Sequence, residues 1–187
     1  VSKQPRTPSD LQWLSNRTGW FRLSSGVNVE ENDGFTAKQA QLNVLQGGSV
    51  AAGGDKTALR RGFEETYTQG ETDQLGYKPM PGITNVRVGT GGKWQTLLQA
   101  DIDFVCYDLD QLDLMTKLYM SLGMTVFLEW GHTPYIDNSG TLQTNIRPVN
   151  FFSFTDKDEL LQAVTKKRQD TFGNYDGMVG TVYNFDW

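Results

Sequence analysis

The sequence predicts a mixed α+β chain with long loops, and three observations carry that prediction. Between residues 99 and 107, Ala100, Ile102, Phe104 and Cys106 alternate with Asp101, Asp103, Val105 and Tyr107, the period of two of a half-buried strand. Leu109, Leu112, Met115, Leu118, Tyr119 and Leu122 then recur at spacings of three and four, an apolar helical stripe stopped by Gly123. Residues 124–130, MTVFLEW, read as a further strand.

Taken in order, residues 1–20 show no clear periodicity. They read as an extended N-terminal arm whose Trp13, Trp20 and Phe21, with Leu11 and Leu14, need cover. Two readings stand for these aromatics: they anchor the chain on a neighbouring subunit, or they cover its own core. Residues 36–44 hold a short predicted helix with Ala37, Ala40, Leu42, Val44 and Leu45 as its apolar positions. Residues 46–76 carry glycines 47, 48, 53, 54, 62, 70 and 76 and read as a long loop. Val50, Leu59, Phe63 and Tyr67 are too few to offset an ordering entropy of ~1–2 kcal/mol per residue, so contact with neighbours is expected to order it. Phe63 and Tyr67 therefore join Trp13, Trp20 and Phe21 as interface candidates.

The signals sharpen from Tyr77, which places a boundary at 75/76. An arm and glycine-rich loop region covers residues 1–75, and a β domain covers residues 76–187. Residues 83–88 and 99–107 form two strands joined by a turn over residues 89–93. That turn, GTGGK, lacks the spacing and the following helix of a phosphate loop. Asp108 or Asp110 caps the helix that ends before Gly123. Asn138, Ser139 and Gly140 mark a turn. A second helix spans residues 156–171, with Asp156 as cap, Glu159 in capping-box position, and a short stripe of Leu160, Leu161 and Val164. Residues 173–177 read as a tight loop and residues 178–187 as a last strand. The chain starts at Val1 and ends on Trp187 within that strand, so both ends are expected to continue in a longer protein.

Composition bounds the chemistry. The 187 residues are 37% hydrophobic and 12% aromatic, enough to bury a core. The net charge of −5 does not suit a general nucleic-acid binder; the run Lys166-Lys167-Arg168 reads as the solvated end of a helix. No apolar run reaches about 18 residues, so no membrane span is expected. One cysteine leaves no intrachain disulfide, and Cys106 reads as a small core residue. One histidine, His132, supports neither a nucleophilic triad nor a zinc site. Asp101, Asp103, Asp108, Asp110 and Asp113 flank a strand and a helix start and lack the alternation of a calcium loop. Glu129 is either a raised-pKa acid or, better, half of a structural ion pair. No catalytic, metal or cofactor residue is assigned, and the chain is expected not to be an enzyme.

Four segments in order carry a resemblance: Gly76-Tyr77-Lys78-Pro79-Met80-Pro81-Gly82-Ile83, the helix over 110–123, Phe127-Leu128-Glu129-Trp130-Gly131-His132, and Gly173-Asn174-Tyr175-Asp176-Gly177-Met178-Val179-Gly180. With Tyr183-Asn184-Phe185-Asp186-Trp187, they resemble baseplate or hub-like proteins of tailed bacteriophages across residues 76–187. The resemblance implies a tail-tube-like domain: an antiparallel β-sandwich or small barrel flanked by one or two helices. It implies a structural virion protein of the tail, assembled in the host cytoplasm. The partners would be other tail or baseplate proteins and further copies in a ring around the tail channel, with no stable nucleic-acid binding. The alternatives are a connector, terminator or wedge of the tail, a carbohydrate-binding receptor module, or a tail-associated cell-wall hydrolase pairing Glu129 with Asp101 or Asp103.

Overall fold

The computed structural model describes residues 7–26, 40–41, 43–48, 81–91, 97–137, 139–143, 146 and 148–186. The Thr7 hydroxyl accepts the Asp10 amide at 3.2 Å, and the Asp10 carboxylate accepts the Thr7 amide at 2.8 Å. This capping box, with Pro8 in the first turn, starts helix α1, Pro8–Asn16. The described part of the segment read as an arm is therefore a helix followed by strand β1, Thr18–Ser25.

Strand β1 lies inside a four-stranded antiparallel sheet. Its neighbours are β2, Leu45–Gly48, and β5, Thr125–Thr133; β8, Tyr175–Thr181, pairs with the far side of β5. The boundary expected at 75/76 thus runs through one sheet: β1 and β2 lie before it, β5 and β8 after it. Leu45, read as helical, and residues 46–48, read as loop, belong to β2. Of the helix expected over 36–44, Ala40, Gln41, Asn43 and Val44 are described: Ala40 and Gln41 are helical, Asn43 lies in a turn, and Val44 belongs to neither helix nor strand. The remainder of the expected long loop lies outside the described residues, as do Phe63, Tyr67 and Asn138.

A second antiparallel pair, β3 (Gly82–Gly91) and β4 (Leu97–Val105), forms the predicted hairpin. Gly89 to Gly91, placed in a turn from sequence, extend β3. Ala100, Ile102, Phe104 and Cys106 face the core as the period of two requires. Helix α2, Leu109–Tyr119, follows. The Asp108 carboxylate accepts the Gln111 amide at 2.7 Å, and the Gln111 side-chain oxygen accepts the Tyr107 amide at 2.9 Å. This cap draws polar Gln111 inside and turns the helix. Its buried face is Gln111, Met115, Leu118 and Tyr119, while Leu109 is 80% exposed. Leu122 is 65% exposed because the helix has already ended and the chain turns at Gly123, whose φ is +81°. The expected stripe is correct in its middle and wrong at both ends.

A small hairpin follows β5, with β6 (Tyr135–Ile136) and β7 (Leu142–Gln143) around Asp137. After a short 3-10 turn at Phe151–Ser153, α3 spans Lys157–Asp170. Asp156 caps it by accepting the Asp158 amide at 3.2 Å; Leu160 and Val164 are buried. Leu161, placed in the same stripe from sequence, is exposed. Tyr175 to Gly177, read as loop, open β8, which ends at Thr181, so only its last four residues overlap the strand expected over 178–187.

The four-stranded sheet is covered on both faces. On one, Leu23, Leu128 and Met178 meet α2, Ile83 and the apolar side of β4. On the other, Trp20, Phe127 and Tyr175 meet Ile146, Val149, Leu160 and Val164. Cross-strand register keeps the faces consistent: Leu23 opposes Leu128, which opposes Met178, and Trp20 opposes Gly131, which opposes Tyr175. At Gly131 a Cβ would lie 2.8 Å from both Trp20 Cζ2 and the Asn174 carbonyl, so the Trp20 ring takes the room a side chain would need. No helix among the described residues is long and apolar enough to cross a membrane.

Candidate assembly surface

Strand β8 ends the four-stranded sheet and β4 ends the hairpin. Between these two strands the described residues leave an open groove of about 610 Å³. Leu97, Leu98, Ala100 and Ile102 form its β4 wall, Met178 and Val179 its β8 wall, and Leu23, Tyr119 and Leu128 its floor. The segment 182–186 runs along it, held to the α2–β5 turn by Val182, whose amide donates to the Met124 carbonyl at 2.9 Å and whose carbonyl accepts the Gly123 amide at 2.8 Å. Leu97 is 62% exposed and Leu98 55%, with Tyr183 and Val88 also exposed. Strand edges with unused backbone groups and apolar side chains beside them invite another chain.

Of the residues proposed from sequence as interface anchors, the three described ones fall elsewhere. Trp20 is 3% exposed, its ring 6.2 Å from that of Tyr175, and Phe21 packs against the core around Leu23. Both pack against the chain's own core. Trp13 is half-buried on α1, with the Arg17 guanidinium 5.2 Å from its ring centroid. Phe63 and Tyr67 lie outside the described residues. Leu97 and Leu98 escaped notice because an apolar pair at a strand start reads equally well as buried.

Glu129 is fully buried on β5: one carboxylate oxygen accepts Arg22 Nη1 at 3.2 Å, and the other accepts the Val149 amide at 3.0 Å and the Tyr175 hydroxyl at 2.8 Å. Burial raises its pKa; Arg22, the Val149 amide, Tyr175 and Lys167 pull the other way without cancelling it. Burial, then the Glu129 charge, also raises the Tyr175 phenol. The structural ion pair anticipated for Glu129 is present, and its partner Arg22 was missed because a polar residue within TGWFRLSS reads as surface. Asp101 and Asp103 face outward on the separate hairpin, where Asp103 accepts Asn85 Nδ2 at 2.9 Å, so neither joins Glu129. His132 lies in β5 itself, its pKa lowered by burial and then by Arg17. Cys106 is half-buried against the core; burial and then Asp108 push its thiol up. The Asp137 carboxylate accepts the Ser139 and Thr141 amides, both at 2.9 Å, as well as the Ser139 hydroxyl and Gln143 Nε2; chiefly the side-chain bonds pull its pKa down to about 2. Among the described residues no three of His, Cys, Asp and Glu gather as a metal-ligand set.

Comparison with protein-family models, curated proteins and solved structures gave no match.

Proposed function

We propose that this chain is a structural protein of a phage tail, most simply a baseplate hub or tail-tip component, that works by packing against further subunits around the tail channel. The observation that carries the reading is the apolar groove between β4 and β8, with Leu97 and Leu98 turned to solvent on its wall. Exposed apolar surface of this kind is costly to keep in water and marks a contact site. The tail-tube-like reading draws support from the antiparallel strands with helices on both sides of the main sheet, and from the sequence resemblance over residues 76–187. An acidic chain, with net charge −5, suits a passage that repels DNA in transit instead of gripping it. Glu129 being enclosed and bonded to three partners supports a structural role for that carboxylate over a hydrolytic one.

The test is to raise antibodies against the purified chain and locate them on candidate tailed particles by electron microscopy. Labelling at the tail tip, with ring-shaped oligomers of the purified chain, is the expected result. Labelling of heads only, or a monomer that solubilises cell-wall material, would overturn the proposal.

A further inference from the structure

The Glu129 cluster joins three strands and one loop, and its bonds are unequal. Oε2 is held by two short bonds, from the Val149 amide at 3.0 Å and the Tyr175 hydroxyl at 2.8 Å. Oε1 is held by Arg22 Nη1 at 3.2 Å, a single end-on contact and not the bidentate fork that makes such pairs strong. The Arg22 Nε is buried with no hydrogen-bond partner, while the side chain as a whole is 13% exposed and so reaches the edge of the covered face. Arg22 is therefore the least secured member, and it has a route to water.

Among the described residues, the charged and titratable groups facing Glu129 are Arg22 on β1, Tyr175 on β8 and Lys167 on α3. Lys167 sits over the Tyr175 ring at 4.9 Å, and the neighbouring Asp176 is paired with Arg168 at 3.5 Å. From residues 146–154 the cluster receives only the Val149 amide among the described contacts. A carboxyl protonated on Oε1 still offers Oε2 as acceptor to Val149 and Tyr175. Its new O–H points at the site of Arg22 Nη1, where two donors cannot both stay. We propose that Arg22 and a proton compete for Oε1 of Glu129, so that the guanidinium is docked against the sheet when the carboxyl is charged and released to water when it is neutral. The loop carrying Val149 stays latched in both states. Burial of the carboxylate works in the same direction, bringing the exchange closer to neutral pH than an exposed glutamate would allow. The outcome is a side-chain switch that adds a solvent-facing positive charge beside β1 on acidification without unfolding the sheet.

The experiment is an NMR titration of the full chain, following the Glu129 carboxyl carbon, the Arg22 guanidinium nitrogens and protection of the Val149 amide. Glu129 and Arg22 should shift with one shared midpoint while the Val149 amide stays protected. In Arg22→Met the Glu129 midpoint should rise by about one pH unit or more, as expected for loss of a neighbouring opposite charge. In Glu129→Gln the Arg22 signals should match the acid form of the wild type at every pH, a readout that survives if Arg22→Met fails to fold. The proposal is overturned if Glu129 does not titrate before the chain unfolds, if its midpoint is unchanged in Arg22→Met, if Val149 loses protection together with Arg22, or if Arg22 in Glu129→Gln keeps its docked signals.

Discussion

At the scale of single residues, Arg22 and Glu129 face each other across β1 and β5 inside a covered sheet. Removing one member of a buried pair strands the other, whereas replacing both with apolar residues removes the desolvation cost as well. Arg22→Met leaves the enclosed Glu129 without its cation and should therefore lose about 3–5 kcal/mol, and the double change Arg22→Met with Glu129→Leu should recover most of it. Urea unfolding of the three proteins measures this, and equal losses in single and double variants would contradict the pairing. Two carboxyls should also give opposite pH signatures. Glu129 is raised on folding, so its contribution is fully present below the unfolded glutamate pKa and is lost as pH rises through the folded value. Asp137 is lowered from 3.8 to about 2, so its contribution is present above 3.8 and is lost as pH falls toward 2. Relative to wild type, Glu129→Gln should thus gain ground as pH rises and Asp137→Asn as pH falls, read as shifts of the urea midpoint over a pH series.

At the scale of elements, α2 is held by one face. Leu118 and Met115 are fully buried, while Lys117 is exposed and bonds to Asp113, one turn back, at 2.8 Å. Leu118→Ala should cost ~2–5 kcal/mol. Lys117→Ala should stay within about 0.5 kcal/mol. Leu109→Ala should stay there too, although Leu109 belongs to the sequence stripe, because its side chain meets solvent in the structure. Thermal unfolding of the three variants checks the face, and a loss at Leu109 equal to that at Leu118 would contradict it. The same helix shows what sequence can and cannot reveal. Its existence and centre follow from spacing, but its rotation is set by the Gln111 cap, which no periodicity records. The β3–β4 hairpin was legible because one face is wet and the other dry, giving a clean period of two. Strand β1 was illegible for the opposite reason. With both sheet faces covered, Trp20, Arg22 and Ser24 are as enclosed as Phe21, Leu23 and Ser25, so no alternation survives. The buried polar members hide behind long-range bonds such as that from the Ser25 hydroxyl to the Leu118 carbonyl at 2.6 Å.

At the scale of the whole molecule, the strands run from β2 through β1 and β5 to β8 in one sheet, with the β3–β4 hairpin packed beside β2. The groove lies where this arrangement stays open, between β4 and β8. On the groove side of β8, Met178 is followed two residues on by Gly180, which offers no side chain to the groove. A partner chain laid along either edge could pair with backbone groups and cover Leu97 and Leu98 together. Burial of apolar surface contributes about 25 cal/mol per Å², so two leucines are a useful part of such a contact and of little value to the isolated fold. Changing both Leu97 and Leu98 to Glu should therefore leave the melting temperature of the isolated chain nearly unchanged, because both side chains already meet solvent. The same double variant should stop oligomers from forming in sedimentation velocity and should be missing from assembled particles. Trp20→Ala should behave in the reverse sense, destabilising the chain by ~3–5 kcal/mol because its ring is buried against Gly131 and Tyr175. A double glutamate variant that assembles as well as wild type would remove the groove from the contact and shift attention to Trp13 on α1.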